Sequence, residues 1–432
     1  MKKISTISVH TLGCKLNQAE SEGLARELAG KGFTLITGNR ADAFIINSCS
    51  VTHTADGKSR HLVRMLRALN PGAVIAVTGC YAERAGKELI DCGADIVSGN
   101  RDKSTLANLL AARLPQKSSD VITRADSRVR SFIKIQDGCD KFCAYCIVPF
   151  VRPTLYSIDA ATAVKEIRSR VCDGYKEIVL TGTEIGSYCS DGLGLTDLVK
   201  LILHETSIER LHLSSLQPQE ITGDLLELWQ DGRLCHHFHM ALQSGSDSVL
   251  QRMGRRYTTG AFRKAAEMAR SAVPDASVTS DIIVGFPGES EEEFKESYEF
   301  CRRMKFAALH IFPYSARPGT MAAQMLCKVS ETVKKERSSI LLKLAAGSAD
   351  EFAQHFIGQS TEVLWEKEVR HGSRIYSGLT NNYIRAYALS SHDITNTISK
   401  VRLKDLAGNS GPPFISKSRR RRHGGLWGEF LD

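Results

Sequence analysis

Three cysteines near the middle of the chain, Cys139, Cys143 and Cys146, are spaced as C-x3-C-x2-C. They follow an apolar, strand-like run over residues 131–135, so we expect them on the loop that ends this strand. Thiolates hold iron–sulfur clusters, and three of them can bind three corners of a [4Fe-4S] cubane. A fourth cysteine at matching spacing is absent, which leaves one iron open to a small molecule. The motif therefore predicts a cluster that does chemistry rather than one that only carries electrons.

Two other interpretations fit this motif less well. A structural zinc ion needs four ligands, usually from two C-x2-C pairs, and a second pair is absent. Buried free cysteines are common in cores, but three of them on a short loop with Gly138, Asp140 and Lys141 are not a core pattern. The iron–sulfur cluster is therefore the favoured interpretation.

Cys14, Cys49 and Cys80 share a second pattern, in which an apolar run precedes the cysteine and a helix-like segment follows it. The runs cover residues 4–10, 42–46 and 73–77, with helix-like segments over 20–31 and 58–69. This alternation predicts a parallel sheet, and such sheets bind ligands at the carboxyl ends of their strands. The thiolates could hold a second cluster there, or the cysteines could simply close tight turns. The spacing leaves both interpretations open.

The composition is that of a globular protein with several domains. The 432 residues are 42% apolar and 24% charged, and they suffice for about two to four domains. No apolar run approaches the roughly 20 residues of a membrane span, and the N-terminal residues lack a signal-peptide core. We therefore expect a cytoplasmic protein without membrane contact, whose cysteines stay reduced. The net charge of +9 favours a polyanionic partner, but a basic, solvated surface explains it equally well.

The elements that must position the central cysteines repeat the alternation of strand and helix. Apolar runs cover residues 131–135, 177–181, 210–214, 237–242, 277–284 and 307–312. Six such units predict an open barrel of parallel strands, with its site at their carboxyl ends. Beyond a helix over about 331–355, short runs over 361–365, 382–387 and 398–403 predict a small all-β domain.

These patterns predict an α/β protein in five segments. They are a parallel-sheet domain over 1–114, a polar linker over 115–130, the barrel over 131–356, the all-β domain over 357–415 and a basic tail over 416–432. The tail is expected to be disordered, and it either touches RNA or is only solvated.

Six stretches match the motifs of one known family: residues 11–18, 47–52, 78–82, 137–149, 242–247 and 281–289. Through them the chain resembles the radical S-adenosylmethionine (SAM) methylthiotransferases over nearly its whole length, to about residue 406. The resemblance implies a methylthiotransferase domain, a radical SAM partial (β/α)6 barrel and a C-terminal TRAM-like barrel that binds RNA. Residues 13–18 and 180–188 are more similar to the branch that modifies N6-threonylcarbamoyladenosine than to the isopentenyladenosine branch.

The resemblance implies an enzyme that transfers a methylthio group to C2 of N6-threonylcarbamoyladenosine, next to the anticodon in tRNA. The central cysteines would hold the [4Fe-4S] cluster that cleaves SAM, and the N-terminal cysteines an auxiliary [4Fe-4S] cluster that supplies sulfur. The implied partners are the tRNA anticodon loop, two SAM molecules, and an electron donor and a sulfur source that the sequence does not identify. Alternatives are a methylthiotransferase acting on isopentenyladenosine or on a ribosomal protein aspartate, and a non-enzymatic RNA-binding iron–sulfur protein.

Residues at the ends of the central strands are candidates for SAM contacts. By resemblance, Gly182 and Glu184 lie where such enzymes bind the amino group of SAM. Tyr145 is expected to pack on the SAM adenine, and Ser214 and Ser215 to contact its ribose or carboxylate. Each has an ordinary structural alternative, as a loop aromatic ring, an exposed carboxylate or hydroxyl groups that cap backbone.

Four more residues are candidates for the site. Gln243 and Ser246 offer neutral hydrogen bonds near the radical. Gly285 permits close approach of the backbone to a ligand, although a tight turn explains a glycine almost as well. Arg152 is expected to bind a SAM carboxylate or a tRNA phosphate, with a surface role as the alternative.

The chain departs from the family pattern at three positions. Pro153 stands where a glycine usually follows the arginine, Gln217 replaces a usual glutamate, and Ala241 replaces a usual proline. Gln217 matters most, since the loss of a carboxylate could alter the SAM contacts. Because all six cluster cysteines are present, we still expect an active enzyme.

Overall fold

The computed structural model describes residues 5–115, 129–407 and 425–431. Its first region contains the strands β1 (Thr6–Thr11), β2 (Thr34–Ile36), β3 (Ala43–Ser48), β4 (Val74–Gly79) and β5 (Ile96–Val97). The helices of this region are α1 (Lys15–Gly30), α2 (His53–Leu69), α3 (Cys80–Asp91) and α4 (Leu106–Arg113). The strands pair in parallel in the order β2-β1-β3-β4-β5, which confirms the predicted parallel sheet.

Helices cover both faces of this sheet, which explains why every residue of β3 is buried. Alternate residues of a strand point to opposite faces. Ala43 and Ile45 pack in one core with α1 and α4, whereas Phe44 and Ile46 pack in another with α2 and α3. The continuous apolar run over residues 42–46, which predicted a strand of a parallel sheet, is therefore a central strand with both faces buried.

The second region is a barrel built from repeated strand and helix units. Its strands are β6 (Arg130–Lys134), β7 (Gln136–Asp137), β8 (Tyr156–Ser157), β9 (Glu177–Thr181), β10 (Cys189–Ser190), β11 (Leu193–Gly194), β12 (Arg210–Leu213), β13 (His237–His239), β14 (Ser277–Val284) and β15 (Ala308–Pro313). Its helices are α5 (Val148–Val151), α6 (Ala160–Cys172), α7 (Leu195–Glu205), α8 (Gly223–Leu226), α9 (Asp247–Arg252), α10 (Thr259–Ala272), α11 (Glu291–Met304) and α12 (Met321–Gln324).

The longer strands form a curved parallel wall in the order β6-β9-β12-β13-β14-β15, in which isolated bridges join the halves β6-β9-β12 and β13-β14-β15. This confirms the predicted partial (β/α)6 barrel. Ile133, Ile178 and Leu180 face the outer helices. The alternate residues Phe132 and Val179 face inward and contact Ala19 of α1, so the first region packs into the open barrel.

The third region is a closed barrel in the order β16-β17-β18-β20-β19, which the long helix α13 (Glu331–Gln354) joins to the second region. Its strands are β16 (Ser360–Glu368), β17 (Ile375–Thr380), β18 (Arg385–Leu389), β19 (Ile398–Leu406) and β20 (Gly425–Phe430). Neither α13 nor any other described helix has the length and apolar content needed to cross a membrane.

Two of these strands differ from the expectations drawn from the sequence. β20 lies within the predicted basic tail over 416–432, yet it pairs with β18 and β19. This pairing buries Leu426 in the core of the small barrel. The remaining tail residues before Gly425 lie outside the described residues. β17 was missed because all of its residues are buried and none of the usual alternation is visible. Most of the predicted linker over 115–130 also lies outside the described residues, and Arg130 already begins β6.

A loop of the small barrel closes the amino end of the large one. The Tyr383 ring stacks on His212 and His237, with centroid distances of 4.4 and 4.6 Å, and its hydroxyl donates to Glu177. Arg210 of the large barrel donates to two backbone carbonyl groups of the small barrel, at 2.9 and 2.8 Å. The small domain is therefore fixed on the large barrel and does not hang from a flexible tether.

Candidate active site

The cysteines that follow β1, β3 and β4 meet at the carboxyl edge of the first sheet. Cys14 precedes α1, Cys49 follows β3, and Cys80 is the first residue of α3. Burial, with a smaller contribution from the neighbouring Cys14 and Cys80, raises the pKa of Cys49 to about 12. The three sulfurs are therefore close enough for their charges to interact. This donor set fits an iron–sulfur cluster, whose positive irons offset the repulsion between thiolates.

Glycines allow these cysteine loops to approach one another. Gly13 and Gly79 have φ angles of +98° and +96°, a conformation that other residues rarely adopt. A Cβ atom on Gly79 would lie 2.3 Å from Ser48 O, and one on Gly13 would lie 2.6 Å from Cys49 Cβ. Asn17 ties the loops together, since its Nδ2 donates to Ser48 O at 3.0 Å. A larger residue at either glycine would push two loops apart.

Arg152 joins the first cysteine set to the barrel. Its Nε donates to Cys80 Sγ at 3.4 Å, and its Nη1 donates to Glu20 and to Asp137 at 2.8 Å each. Only 3% of the Arg152 side chain is exposed. In place of the expected SAM carboxylate or tRNA phosphate, its donors thus face a thiol and two carboxylates of the chain itself.

The central cysteines lie on the loop between β7 and α5. Burial raises the pKa of Cys146 to about 12 and that of Cys139 to about 11, and Cys143 adds to both shifts. Arg255 Nη1 donates to Cys143 Sγ at 3.3 Å. These sulfurs therefore form a second coupled donor set that fits a cluster.

A chain of polar contacts links this loop to the ends of β9 and β12. Glu184 Oε2 lies 3.8 Å from Cys139 Sγ, and Glu184 Oε1 accepts a hydrogen bond from Gln217 Nε2 at 3.2 Å. Gln217 Oε1 accepts from Arg255 Nη2 at 2.5 Å. Gln217 therefore bridges a carboxylate and a guanidinium group as a neutral amide, where a glutamate would repel Glu184. Sequence reasoning missed Arg255, because the pair Arg255 and Arg256 is typical of a solvated surface.

Glu220 adds a carboxyl group that sequence reasoning also missed. Its Oε2 accepts from Gln217 N at 2.8 Å, and Gly186 leaves room for it, since a Cβ there would lie 1.9 Å from the Glu220 carboxyl carbon. Burial, together with the nearby Glu184, raises the pKa of Glu220 to about 7, although the hydrogen bond from the backbone of Gln217 opposes this shift. Glu220 therefore holds a proton in a large part of the molecules near neutral pH, which reduces its repulsion of Glu184.

A cavity of about 510 Å³ begins beside Cys14 and continues into the barrel. Gly182, Ser214 and Ser215 line it at the carboxyl ends of β9 and β12, so the structure brings these three candidates together. A Cβ atom on Gly182 would lie 2.8 Å from Gln136 O, which explains why a glycine stands there.

Tyr145 and Gln243 are not among the residues that line this cavity. Burial raises the pKa of Tyr145 well above its usual value, while the nearby charge of Arg255 opposes the shift. Gln243 has a φ of +69°, and its backbone N–H donates to Asp281 O on β14 at 2.9 Å. Strained backbone of this kind is concentrated at functional sites.

Ser246 and Gly285 do not line the cavity either, and both are held by outer helices. Ser246 Oγ donates to Glu296 on α11 at 2.5 Å. A Cβ atom on Gly285 would lie 2.4 Å from Lys334 Cγ, so the close approach that needs a glycine comes from α13. Both residues therefore serve packing between the barrel and its outer helices.

Comparison with known proteins matches two family models to the chain. The model described as the radical SAM superfamily matches residues 133–301, which include the central cysteines. The model described as uncharacterized protein family UPF0004 matches residues 6–99, which include the N-terminal cysteines. Both cysteine sets thus lie within matched segments.

Curated relatives match the chain over most of its length. A threonylcarbamoyladenosine tRNA methylthiotransferase MtaB from Bacillus subtilis (strain 168) is 37% identical over 425 residues, which are 93% of this chain and 94% of the relative. A tRNA-2-methylthio-N(6)-dimethylallyladenosine synthase from Endomicrobium trichonymphae is 32% identical over 411 residues, which are 93% of this chain and 98% of the relative.

A solved structure shares the fold. It is that of the radical S-adenosylmethionine methyltransferase TsrM from Kitasatospora setae, with cobalamin and a [4Fe-4S] cluster bound. Its TM-score is 0.56 at 13% identity, and the match covers 87% of this chain and 81% of that chain.

Proposed function

Because the chain belongs to the radical SAM methylthiotransferase family, we propose that it transfers a methylthio group to C2 of N6-threonylcarbamoyladenosine, next to the anticodon in tRNA. The family uses SAM and a [4Fe-4S] cluster, for which Cys139, Cys143 and Cys146 provide the ligands. We assign a second [4Fe-4S] cluster to the N-terminal cysteines. Relatives of 34–37% identity that are named for threonylcarbamoyladenosine support the choice of substrate.

The observation that carries this proposal is the junction of the two thiol sets beside one cavity. Arg152 contacts Cys80 and also Asp137, which lies two residues before Cys139. Cys14 lines the cavity that runs into the barrel. A base that enters this cavity therefore lies beside the first thiol set, which Arg152 connects to the loop that carries the second.

The reaction needs both sets, because adenine C2–H is barely acidic and acid–base catalysis alone cannot exchange it for sulfur. When bound, the clusters and SAM supply the radical that removes this hydrogen and the sulfur that replaces it. The chain holds these groups in place and excludes water. The target base must leave its stack, which costs a few kcal/mol or less in a single-stranded anticodon loop.

The residues at the strand ends orient SAM in this proposal. Glu184 would accept hydrogen bonds from its amino group, and Ser214 and Ser215 would contact its ribose or carboxylate. Tyr145 would pack on its adenine. Gln243 offers a neutral amide to the substrate.

Replacing Glu184 with glutamine is expected to raise the KM for SAM by about tenfold to a hundredfold, because a charge-assisted hydrogen bond to the ammonium group is lost. The measurement is 5′-deoxyadenosine formation at increasing SAM concentration. Glu209→Gln, at an exposed position outside the cavity, is the matched control. An unchanged KM in Glu184→Gln would remove Glu184 from the SAM site.

A basic strip on the small barrel is suited to the tRNA backbone. Lys400, Arg402 and Lys404 alternate along β19 and are exposed, whereas Val401 and Leu403 between them are buried. Alternate residues of a strand share a face, so the three basic side chains form one row on the outside of the barrel. Since Tyr383 fixes this barrel on the large one, the row is held at a fixed position relative to the cavity.

Replacing Lys400, Arg402 and Lys404 together with alanine is expected to weaken tRNA binding about tenfold or more, and to reduce the slope of log affinity against log salt by about two to three. The measurement is a tRNA titration at several salt concentrations. The matched control replaces three exposed lysines on outer helices: Lys165, Lys264 and Lys343. An equal loss of slope in both triple variants would show that β19 has no special part in binding.

The proposed function is tested by mass spectrometry of tRNA nucleosides from a host that lacks its own enzyme, with and without this gene. New methylthio-threonylcarbamoyladenosine is the expected product. Detection of methylthio-isopentenyladenosine instead would support the proposed reaction and refute the proposed substrate. Absence of both, in cells shown to contain the protein with its clusters, would overturn the function.

A further inference from the structure

The inner face of the barrel is polar where it lines the cavity. His237 and His239 of β13, Thr279 and Asp281 of β14, and His310 of β15 all line it. These are the inward-facing residues of adjacent strands. Barrel interiors that only need filling carry bulky branched apolar residues, and burying polar groups without a partner costs free energy. The polar lining therefore indicates a polar occupant.

The lining residues form a connected cluster. His239 Nε2 lies 3.3 Å from Asp281 Oδ2, and its Nδ1 lies 3.0 Å from Thr279 Oγ1. His310 brings a ring nitrogen within 4.8 Å of the His239 and Asp281 atoms. Burial alone would raise the pKa of Asp281, but the hydrogen bond from His239 holds this pKa below its ordinary value. The cluster thus presents fixed donors and an ionised acceptor to the cavity.

The cavity joins this cluster to the place of reaction. Cys14 and Lys15 line it, as do Ser214 and Ser215 at the carboxyl ends of the strands. Tyr383, which stacks on His237 at the first residue of β13, closes the amino end. A group attached to a base beside Cys14 can therefore extend into the barrel toward Asp281 and His310.

We propose that the inner part of this cavity, called the chamber below, binds the threonylcarbamoyl substituent on N6 of the target adenine. Lys15, Asp281 and His310 line the chamber and recognise the polar atoms of the substituent. The inference rests on the proposed function and names the residues that select the substrate. The substituent carries a carboxylate, a hydroxyl group and urea N–H groups. Lys15 and His310 supply N–H donors for the carboxylate, and Asp281 accepts from the hydroxyl or urea groups.

The chemistry of the chamber also explains rejection of the other tRNA substrate of the family. A dimethylallyl group has no hydrogen-bonding atom, so it would offer no partner to Asp281, His239 or His310. Sites built to bind a polar group discriminate strongly against analogues that lack it, because their own polar atoms are left unpaired. The chamber therefore acts as a filter between two substrates that share the same adenine.

The test compares binding of three anticodon hairpins to the protein with its clusters. The hairpins are identical except at the target base, which is threonylcarbamoyladenosine, isopentenyladenosine or adenosine. Wild-type protein is expected to bind the first about tenfold to a hundredfold more tightly than the other two. Asp281→Asn and His310→Leu are expected to bring this ratio close to one, and His310→Gln, which keeps an N–H donor, to retain part of it.

The ratio is measured on one preparation, so partial misfolding does not change it, and His204→Leu at an exposed position is the matched control. A wild-type preference for isopentenyladenosine would overturn the proposed substrate together with the chamber. A preference for threonylcarbamoyladenosine that survives in Asp281→Asn and His310→Leu would overturn the chamber alone. One equivalent of divalent metal, bound by the wild type and lost in Asp281→Asn, would also overturn it, because His239, Asp281 and His310 would then be metal ligands.

Discussion

Alanine at Cys139, Cys143 or Cys146 is expected to abolish SAM cleavage. Each sulfur belongs to one coupled donor set, and two thiolates cannot hold a cubane in the position that leaves a defined iron open. Since the cofactor carries the difficult step, its loss removes the whole acceleration and not a fraction of it. The measurement is 5′-deoxyadenosine formed under anaerobic, reducing conditions, together with the iron content of each variant.

Cys172 provides the control for this prediction, because it is exposed at the end of α6 and belongs to neither donor set. Cys172→Ala is expected to cleave SAM at the wild-type rate with wild-type iron content. Sustained cleavage of SAM by any of the three central variants would refute the assignment of the radical cluster.

Alanine at Cys14, Cys49 or Cys80 is expected to stop methylthio transfer while SAM cleavage continues. These thiols lie in the first region, on loops separate from the one that carries the central cysteines. Their loss should therefore remove about four irons, the content of one cubane cluster, and leave the other cluster in place. The measurement combines iron content, 5′-deoxyadenosine and methylthio nucleoside in one reaction with tRNA.

Cys92 is the matched control for this second set, because it is buried in the same region but packs in the core between α2, α3 and the sheet. Cys92→Ala is expected to keep both clusters and to form methylthio product, with some loss of stability from the smaller side chain. Methylthio product from any of the Cys14, Cys49 or Cys80 variants would be incompatible with their role as ligands of the sulfur-donating cluster.

The two predictions together separate the functions of the two thiol sets. Arg152 connects the loops that carry the two thiol sets, since it contacts Cys80 on one loop and Asp137 at the start of the other. The carboxylate of Glu20, which bonds both Arg152 and Lys103, keeps this connection fixed. Two clusters that are lost independently, yet are held at a fixed distance by Arg152, would suit the transfer of a group between two centres.

The sequence by itself determined the elements and the donor atoms. Strand and helix are encoded locally, by the period of apolar residues, so Glu177–Thr181 and Ser277–Val284 were predicted at their observed limits. The cysteines were recognisable because a cluster motif needs closely spaced thiols, or thiols repeated at equivalent loop positions. The parallel sheet, the open barrel and the small β-domain followed from the order of these units.

The tertiary structure alone decided which polar side chains meet. Arg152 contacts Cys80 across 72 residues and Arg255 contacts Cys143 across 112, and no local period records a contact at such a separation. Ser246 and Gly285 lie against outer helices and away from the cavity, and these long-range contacts also leave no local pattern in the sequence. The inward direction of Asp281 and His310 depends on which face of each strand the barrel curves around. Sequence therefore determined the chemistry that is possible, and long-range packing determined where it takes place.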